Sequence, residues 1–286
     1  MNEIHLLSKT PGKYDPDLAR KVNSELSPVV PTASVASSVI SPTSRVSAGD
    51  EYLPLENIIC VDANGKEFER YAVLYVAKDI VRDSTLQVSH TPYEWAEYFE
   101  RKGLFLPSFA LSCNILVRLF EKAVRQKSDK SYEVVDADID KVLRQYEDKG
   151  NGYGWHAQNT LVDWGKSTIK HYPLDGDFTS NGGTANINRG ITTIPFRFDR
   201  QGFNNLSFEQ ALKNKNFESY LRNLTGLQKP EKLIRIGEYF GKPARVWVSG
   251  DNKTRAAWVG CSSDLLYIIA GNILSSNGAA RGVKLP

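Results

Sequence analysis

The segment that most constrains the fold runs from Gly241 to Pro286, where short apolar runs alternate with turn residues. The apolar runs are Arg245-Val246-Trp247-Val248, Ala256-Ala257-Trp258-Val259 and Leu265-Leu266-Tyr267-Ile268-Ile269. Glycine, asparagine, aspartate and serine separate them, and a basic-apolar run from Ala280 to Leu285 follows. Runs this short between turn residues predict several short antiparallel strands joined by polar loops.

The composition excludes several classes of protein. With 286 residues, of which 41% are hydrophobic and 24% charged, the chain can bury a full core and has an ordinary globular composition. A net charge of +3 without clusters of lysine and arginine gives no footprint for nucleic acid. No apolar run reaches the roughly 18 residues that a membrane-spanning helix needs. We therefore expect neither a nucleic-acid partner nor a membrane span.

The N-terminal residues predict neither export nor a folded domain. Met1-Asn2-Glu3-Ile4-His5 lacks a basic region followed by an apolar one, which argues against a signal peptide and leaves the localisation open between cytoplasm and virion. No aromatic residue lies between Tyr14 and Tyr52, and residues 24–47 hold eight serines and three prolines. We expect residues 1–51 to be an extended or disordered arm. Its valines leave open an arm that pairs with another subunit in a homo-oligomer.

The folded domain is expected to span residues 52–286. Two β-rich runs flank Asp62-Ala63-Asn64-Gly65-Lys66, whose Asn-Gly pair tolerates positive φ, so a hairpin is predicted. Thr91-Pro92-Tyr93-Glu94 has the capping box and proline of a helix start, and Gly103 ends that helix. A longer helix begins near Ser108.

Helical spacing predicts which side chains these two helices bury. Trp95 and Phe99 lie four residues apart on the first helix. On the second, the repeating apolar positions are Leu111, Ile115, Leu119 and Ala123.

The chain beyond these helices is less regular. Ile139 to Tyr146 is a third amphipathic stretch, and residues 151–203 show no clear periodicity. Ser207 begins a helix that runs towards Leu224, and strand signals resume at Lys232-Leu233-Ile234-Arg235-Ile236.

Two separated segments share a pattern with one family. In the first, Trp95-Ala96 precedes Gly103 and Phe105-Leu106-Pro107-Ser108. In the second, Trp247-Val248-Ser249-Gly250 precedes Ala280-Arg281-Gly282-Val283-Lys284. The first resembles the G-x-x-LP-T/S segment, and the second the W-S-S … A-R-G-V-R ending, of prokaryotic and phage C-type-lectin-fold domains.

This resemblance implies an α+β, C-type-lectin-like fold with two helices, a small antiparallel sheet and long loops. Residues of about 151–230 would then be a long central insertion. Trp247 and Trp258 would belong to the scaffold, and Gly282 would permit a close backbone approach. The alternative is a β-rich C-terminal subdomain of another α+β fold.

The functions known for this fold differ in the residues they need. Sugar-binding lectins hold Ca²⁺ with Glu-Pro-Asn or Gln-Pro-Asp and Trp-Asn-Asp sequences, whereas Val248-Ser249 follows Trp247 here. Formylglycine-generating enzymes use closely spaced reactive cysteines, and the cysteines of this chain are far apart. We therefore expect no cofactor, no metal and no catalytic residue. An enzyme of the formylglycine-generating type is kept as the third alternative.

The remaining group is the variable proteins of diversity-generating retroelements, in which mutagenesis rewrites the C-terminal stretch while scaffold residues stay fixed. The resemblance implies a non-enzymatic receptor-recognition surface for a protein ligand. We expect it to use Ser249, Asp251, Lys253, Ser262, Ser263, Leu265, Tyr267, Ile269, Asn272, Ile273 and Leu274. The runner-up is a virion or assembly protein with no diversified site.

The run from Leu265 to Ile269 separates these two hypotheses. Strand alternation would expose one side chain of each pair, and an exposed apolar patch marks a binding site. Alternatively, all five side chains are core, as in a strand covered on both faces. The sequence leaves both open.

Overall fold

The computed structural model of the protein describes residues 51–82, 92–147, 155–172, 191–197, 206–261, 264–272 and 279–286. Residues 1–50 of the predicted arm lie outside this set. The described α-helices are α1 Pro92–Glu100, α2 Phe109–Ala123, α3 Ala137–Leu143, α4 Phe208–Leu212, α5 Lys215–Thr225 and α6 Lys232–Phe240. A short 3₁₀ helix, Arg144–Tyr146, extends α3.

The described strands form three sheets. They are β1 Tyr52–Val61, β2 Glu67–Ala77, β3 Val81–Arg82, β4 Val124–Gln126, β5 Tyr132–Val134, β6 Trp155–Asp163, β7 Thr168–His171, β8 Thr192–Pro195, β9 Leu206–Ser207, β10 Ala244–Val248, β11 Thr254–Cys261, β12 Leu266–Asn272, β13 Ala279–Ala280 and β14 Val283–Lys284. The small sheets are β1-β2-β14 and β4-β5. The large sheet has nine strands, with the path β3-β13-β6-β11-β12-β10-β9, β7 beside β6 and β8 beside β7.

The architecture is mixed α and β, which confirms the α+β class. It is larger than the predicted two helices and small antiparallel sheet, because six α-helices and a nine-stranded sheet lie in the described part of the chain. The large sheet is also not purely antiparallel, since β10 pairs with β12, and β13 with β6, in parallel.

The predicted hairpin is confirmed by the antiparallel pairing of β1 with β2. Its turn contains Gly65 at a φ of 79°, which L side chains rarely adopt. Asp62 Oδ1 accepts hydrogen bonds from the amides of Asn64 and Lys66, both at 2.9 Å. The aspartate therefore closes the turn together with the glycine.

Helix α2 lies in the middle of the main core. It begins next to Ser108 as predicted, and Ser108 caps it, since the Leu111 amide donates to Ser108 Oγ at 3.0 Å. The predicted stripe from Leu111 to Ala123 is buried. Most of the remaining helix surface is buried too, because β1, α5 and the large sheet pack around it.

Helix α1 covers one face of the large sheet. The predicted pair Trp95 and Phe99 is 2% and 0% exposed, and the two rings stack with their centroids 6.0 Å apart. They pack against Trp258 of β11 and Leu161 of β6. Trp258 is fully buried there, the position that a scaffold residue occupies.

Helices α3, α4 and α5 begin at residues whose side chains cap them. Asp136 accepts from the amides of Asp138 and Ile139 and begins α3. A helix begins at Ser207 as predicted, and Ser207 forms a capping box at the start of α4. The helix does not continue to Leu224, because it is interrupted before Asn214, which caps a second helix, α5.

The strand predicted at residues 232–236 was wrong, because these residues form α6. Leu233, Ile236 and Phe240 repeat at helical spacing on its buried side. Gly241 ends the helix at a φ of 68°.

The sequence also failed to show β6, β7 and β8 within the stretch assigned to a central insertion. β6 lies between β13 and β11 in the large sheet and is buried on both faces. Its buried positions include the polar side chains of His156, Gln158 and Thr160, which hid the apolar pattern of a core strand. Residues 173–190 of this stretch lie outside the described residues.

The three C-terminal runs form β10, β11 and β12 as predicted, but one pairing differs. β12 inserts between β10 and β11, so it is antiparallel to β11 and parallel to β10. Residues 249–253, which join β10 to β11, therefore pass the end of β12 and do not close a tight hairpin.

Candidate ligand-binding surface

Strand β12 has two unlike faces. Leu266, Ile268 and Ala270 are fully buried in the main core. Leu265 and Tyr267 alternate with them and are only half-buried on the opposite face. At these two positions the structure agrees with alternation and not with a run that is core throughout.

Strand β10 adds two side chains to this face. Arg245 and Trp247 are half-buried and alternate with buried apolar residues along the strand. In the parallel pairing Arg245 lies opposite Tyr267, and Trp247 lies opposite Ile269. Directly paired residues share a face of the sheet. We call Arg245, Trp247, Leu265 and Tyr267 the outer patch.

The outer patch lies on the same face of the large sheet that α1 covers at β6 and β11. On β11 the residue opposite Ile269 is Trp258, which α1 covers. The large sheet therefore passes from a helix-covered region at β6 and β11 to a half-buried region at β12 and β10.

Arg245 was missed as a binding residue, and Trp247 was assigned to the scaffold alone. The sequence carried a signal for both residues, because Arg245 and Trp247 alternate with the apolar residues Ala244, Val246 and Val248 and so lie on the other face of the strand. A large aromatic and a cation on the polar side of such a strand predict a contact surface. The pairing with β12 could not be read from this signal.

The turn after β10 is organised by Asp251. Ser249 Oγ donates to Asp251 Oδ1 at 2.7 Å, and the Lys253 amide donates to the same oxygen at 3.2 Å. Arg255 donates from Nε at 3.3 Å and forms an ion pair with Oδ2. Ser249 is itself buried. These two predicted binding residues therefore also hold the turn.

The ionisation of Asp251 follows from this geometry. Partial burial acts to raise its pKa, but the hydrogen bonds from Arg255, Ser249 and the Lys253 amide outweigh it and lower the pKa to about 2. Asp251 is thus a carboxylate at neutral pH. Asn252 and Lys253 extend from the turn as exposed side chains.

The predicted residues do not form one cluster. Because β10 and β12 are parallel, the turn at 249–253 lies at the end where β12 finishes, and Leu265 lies where β12 begins. Five residues of strand separate these ends by roughly 17 Å. The backbone of Ile269 and Asn272 lies in β12, but their side chains are outside the description. Also outside it are Ser262, Ser263, Ile273 and Leu274.

The cysteines of this chain are poor candidates for thiol chemistry. Cys60, Cys113 and Cys261 are all buried and reduced. Burial raises the pKa of the Cys113 thiol, and burial followed by the nearby Glu69 raises that of Cys60. A reactive cysteine needs a stabilised thiolate, which these surroundings disfavour.

Two histidines of the described chain are buried. His156 stacks on Tyr146 with ring centroids 4.4 Å apart. His171 is held by Thr160 and by the carbonyl of Asn223. Within the described residues, no group of three or more His, Cys, Asp or Glu side chains could hold a metal ion.

Comparison of this chain with protein-family models, with curated proteins and with solved structures found no match. The helices of the described ranges are all too short or too polar to cross a membrane.

Proposed function

We propose that this protein binds a protein ligand, without catalysis, through the outer patch on β10 and β12. The observation that carries the proposal is the sharing of one half-buried face by Arg245, Trp247 and Tyr267. Tryptophan, tyrosine and arginine are the residue types that dominate binding energy at protein interfaces. Leu265 adds apolar area beside them.

In this proposal the inner face of β12 belongs to the scaffold and its outer face recognises the ligand. Leu266, Ile268 and Ala270 hold the strand in the core. Side chains on the outer face contribute less to that core, so they can change with a smaller loss of stability. This division supports a surface that tolerates diversification on a fixed frame.

A C-type-lectin-like scaffold is the fold we propose for this frame. Its support is the resemblance of the two segments together with their places in the architecture. The first segment covers most of α1 and ends at Ser108, the N-cap of α2, and the second ends in β13 and β14. β14 pairs with β2, which brings the last described strand beside the first hairpin.

Within that fold, we propose that the chain is a variable protein of a diversity-generating retroelement. A DNA sequence test decides this point. We expect a near-copy of the coding DNA for residues 245–283, differing at adenines, beside a reverse transcriptase gene. Its absence from a complete source genome would contradict the diversification and leave ligand binding to be judged separately.

A saturation experiment tests the recognition surface itself. Each of Arg245, Trp247, Leu265 and Tyr267 is replaced by all other residues, and folded chains are scored by protease resistance on a cell surface. We expect most replacements to be tolerated there and few at the matched core positions Val246, Val248, Leu266 and Ile268. Equal intolerance at both sets would favour the alternative, a virion or assembly protein whose C-terminal strands are ordinary core.

The arm at residues 1–51 and its role in a homo-oligomer remain predictions. The mass of the full chain in solution tests the oligomer: a single-chain mass at micromolar concentration would contradict it.

A further inference from the structure

His171, at the end of β7, connects several elements through a fully buried ring. Its Nδ1 lies 2.9 Å from Thr160 Oγ1 on β6, and its Nε2 lies 2.8 Å from the Asn223 carbonyl on α5. The ring stacks on Phe68 of β2, with the centroids 5.2 Å apart and the planes 13° from parallel.

These partners fix the tautomer of the neutral ring. A carbonyl oxygen can only accept, so Nε2 carries the hydrogen that bonds to Asn223. Nδ1 of the neutral ring can then only accept, so Thr160, whose Oγ1 also accepts the Phe109 amide at 2.8 Å, gives its own hydrogen to Nδ1. Every polar atom of this group is satisfied when the imidazole of His171 is neutral.

Asn223 carries the connection further. Its Oδ1 accepts a hydrogen bond from the Ala63 amide at 2.7 Å, in the turn between β1 and β2. Its Nδ2 lies 3.4 Å from the carbonyl of Pro195 on β8. Together with the hydrogen bond from His171, these two contacts of the Asn223 side chain hold the C-terminal end of α5 against three parts of the fold.

Four charged residues stand next to the members of this junction in the sequence, and three of them have described partners. Glu67 and Glu69 flank Phe68 on β2, Arg222 precedes Asn223 on α5, and Lys170 precedes His171 on β7. Their described partners are Arg70 for Glu67, Ser108 and Tyr71 for Glu69, and Glu218 for Arg222. The paired residues Thr160 and Thr192 on β6 and β8 are uncharged, and the first turn of α2 has no acid.

We propose that His171 is an acid-sensitive latch, whose protonation releases the C-terminal end of α5 from β7 while the rest of the core stays folded. A proton added at Nδ1 would face the hydrogen that Thr160 now donates. The hydroxyl would have to turn away, and the hydrogen bond that it now donates to Nδ1 would be lost. Among the described residues no carboxylate adds to the causes that set the pKa of this ring, so the new charge would be buried without a described counter-charge. Opening the junction gives the imidazolium access to water.

The size of the effect follows from proton linkage. Burial lowers the pKa of His171 to about 4 from its ordinary value of 6.5. The closed form therefore binds fewer protons than the open form between these values, and acid favours opening. Lowering the pH from about 7 to about 5 should raise the ratio of open to closed forms about twentyfold.

Hydrogen exchange with mass spectrometry on the full chain tests the latch. After correction for the intrinsic pH dependence of exchange, we expect amide protection at pH 5 to fall about twentyfold in peptides from residues 168–172 and 215–226. Peptides from α2 and β11 should keep their protection. His171→Gln, which retains a neutral donor, should abolish the difference, and His156→Gln is the matched buried-histidine control.

Three results would overturn the latch: a uniform loss of protection along the chain, no loss at either segment, or an unchanged acid response in His171→Gln. If that variant does not fold, an NMR titration of the wild-type ring replaces it. A ring that stays neutral to about pH 4 supports the latch, and a midpoint near 6.5 overturns it.

Discussion

Ser108 donates its hydroxyl hydrogen to Glu69 Oε2 at 2.9 Å, while Ser108 Oγ accepts a hydrogen bond from the Leu111 amide. One side chain therefore caps α2 and binds a buried carboxyl group of β2. Tyr71 is a further donor to Glu69, at 2.7 Å to Oε1. The start of the central helix and the middle of the hairpin are positioned by one polar contact.

Replacing Ser108 with alanine should lower the free energy of unfolding by about 2 to 4 kcal/mol, because the helix loses its cap and Glu69 loses a buried donor. Denaturant unfolding followed by circular dichroism measures this change. Ser207→Ala is the control: Ser207 caps the short helix α4 and bonds no buried carboxyl group, so the loss should be about 1 kcal/mol. Equal losses would mean that the Glu69 contact contributes nothing.

Gly226→Ala should destabilise the fold by roughly 2 to 5 kcal/mol. Gly226 ends α5 at a φ of 62°, and an added Cβ would lie 2.6 Å from the Cβ of Ala110 and 3.0 Å from that of Cys60. Gly241 has a similar φ of 68° at the end of α6, with nothing within 4 Å of an added Cβ. Gly241→Ala should therefore cost only about 1 to 2 kcal/mol. Thermal unfolding of the two variants separates backbone strain from crowding, and similar values would show that Ala110 gives way.

Asp251→Asn should remove a contribution to stability that depends on pH. The folded pKa of about 2 lies below the ordinary 3.8, so this contribution is complete above pH 3.8 and is lost as the pH falls towards 2. The melting temperature of the variant should be below that of wild type at pH 6, and the gap should narrow between pH 4 and pH 2. A gap that stays constant over this range would contradict the assigned hydrogen bonds.

Tyr267→Ala and Ile268→Ala test the two faces of β12 at neighbouring positions. Ile268 is fully buried, so its truncation should lower the free energy of unfolding by about 2 to 5 kcal/mol. Tyr267 is half-buried, and its truncation should cost about 1 kcal/mol. Chemical denaturation of both proteins measures the difference. A loss at Tyr267 as large as that at Ile268 would place its side chain in the core and remove the basis for the outer patch.

The parts of the fold that sequence predicted depend on local signals. The hairpin turn at Asp62–Gly65 and the caps at Ser108 and Ser207 involve residues a few positions apart, so their chemistry is visible in the sequence. β6 was hidden because its buried polar residues find partners far along the chain. One example is Thr160, which binds the amide of Phe109.

The candidate surface was predicted only in part, because one part of it depends on local signals and the other on a long-range strand pairing. Alternation placed Leu265 and Tyr267 on one side of a strand, since it needs only neighbouring residues. Bringing Arg245 and Trp247 beside them required the insertion of β12 between β10 and β11, a pairing over about twenty residues that local pattern does not encode.

The contacts of Arg281 and β14 with the end of β2 can form only late in synthesis. The Arg281 guanidinium bonds to the carbonyls of Ala77 and Lys78 and to Gln145 Oε1, while β14 pairs with β2. The ribosome adds β2 some two hundred residues before Arg281 and β14. On the ribosome the edge of β2 has no β14 partner until residues 283–284 emerge. Contacts this distant in sequence slow folding, so an unpaired strand edge is open to wrong pairing during that time.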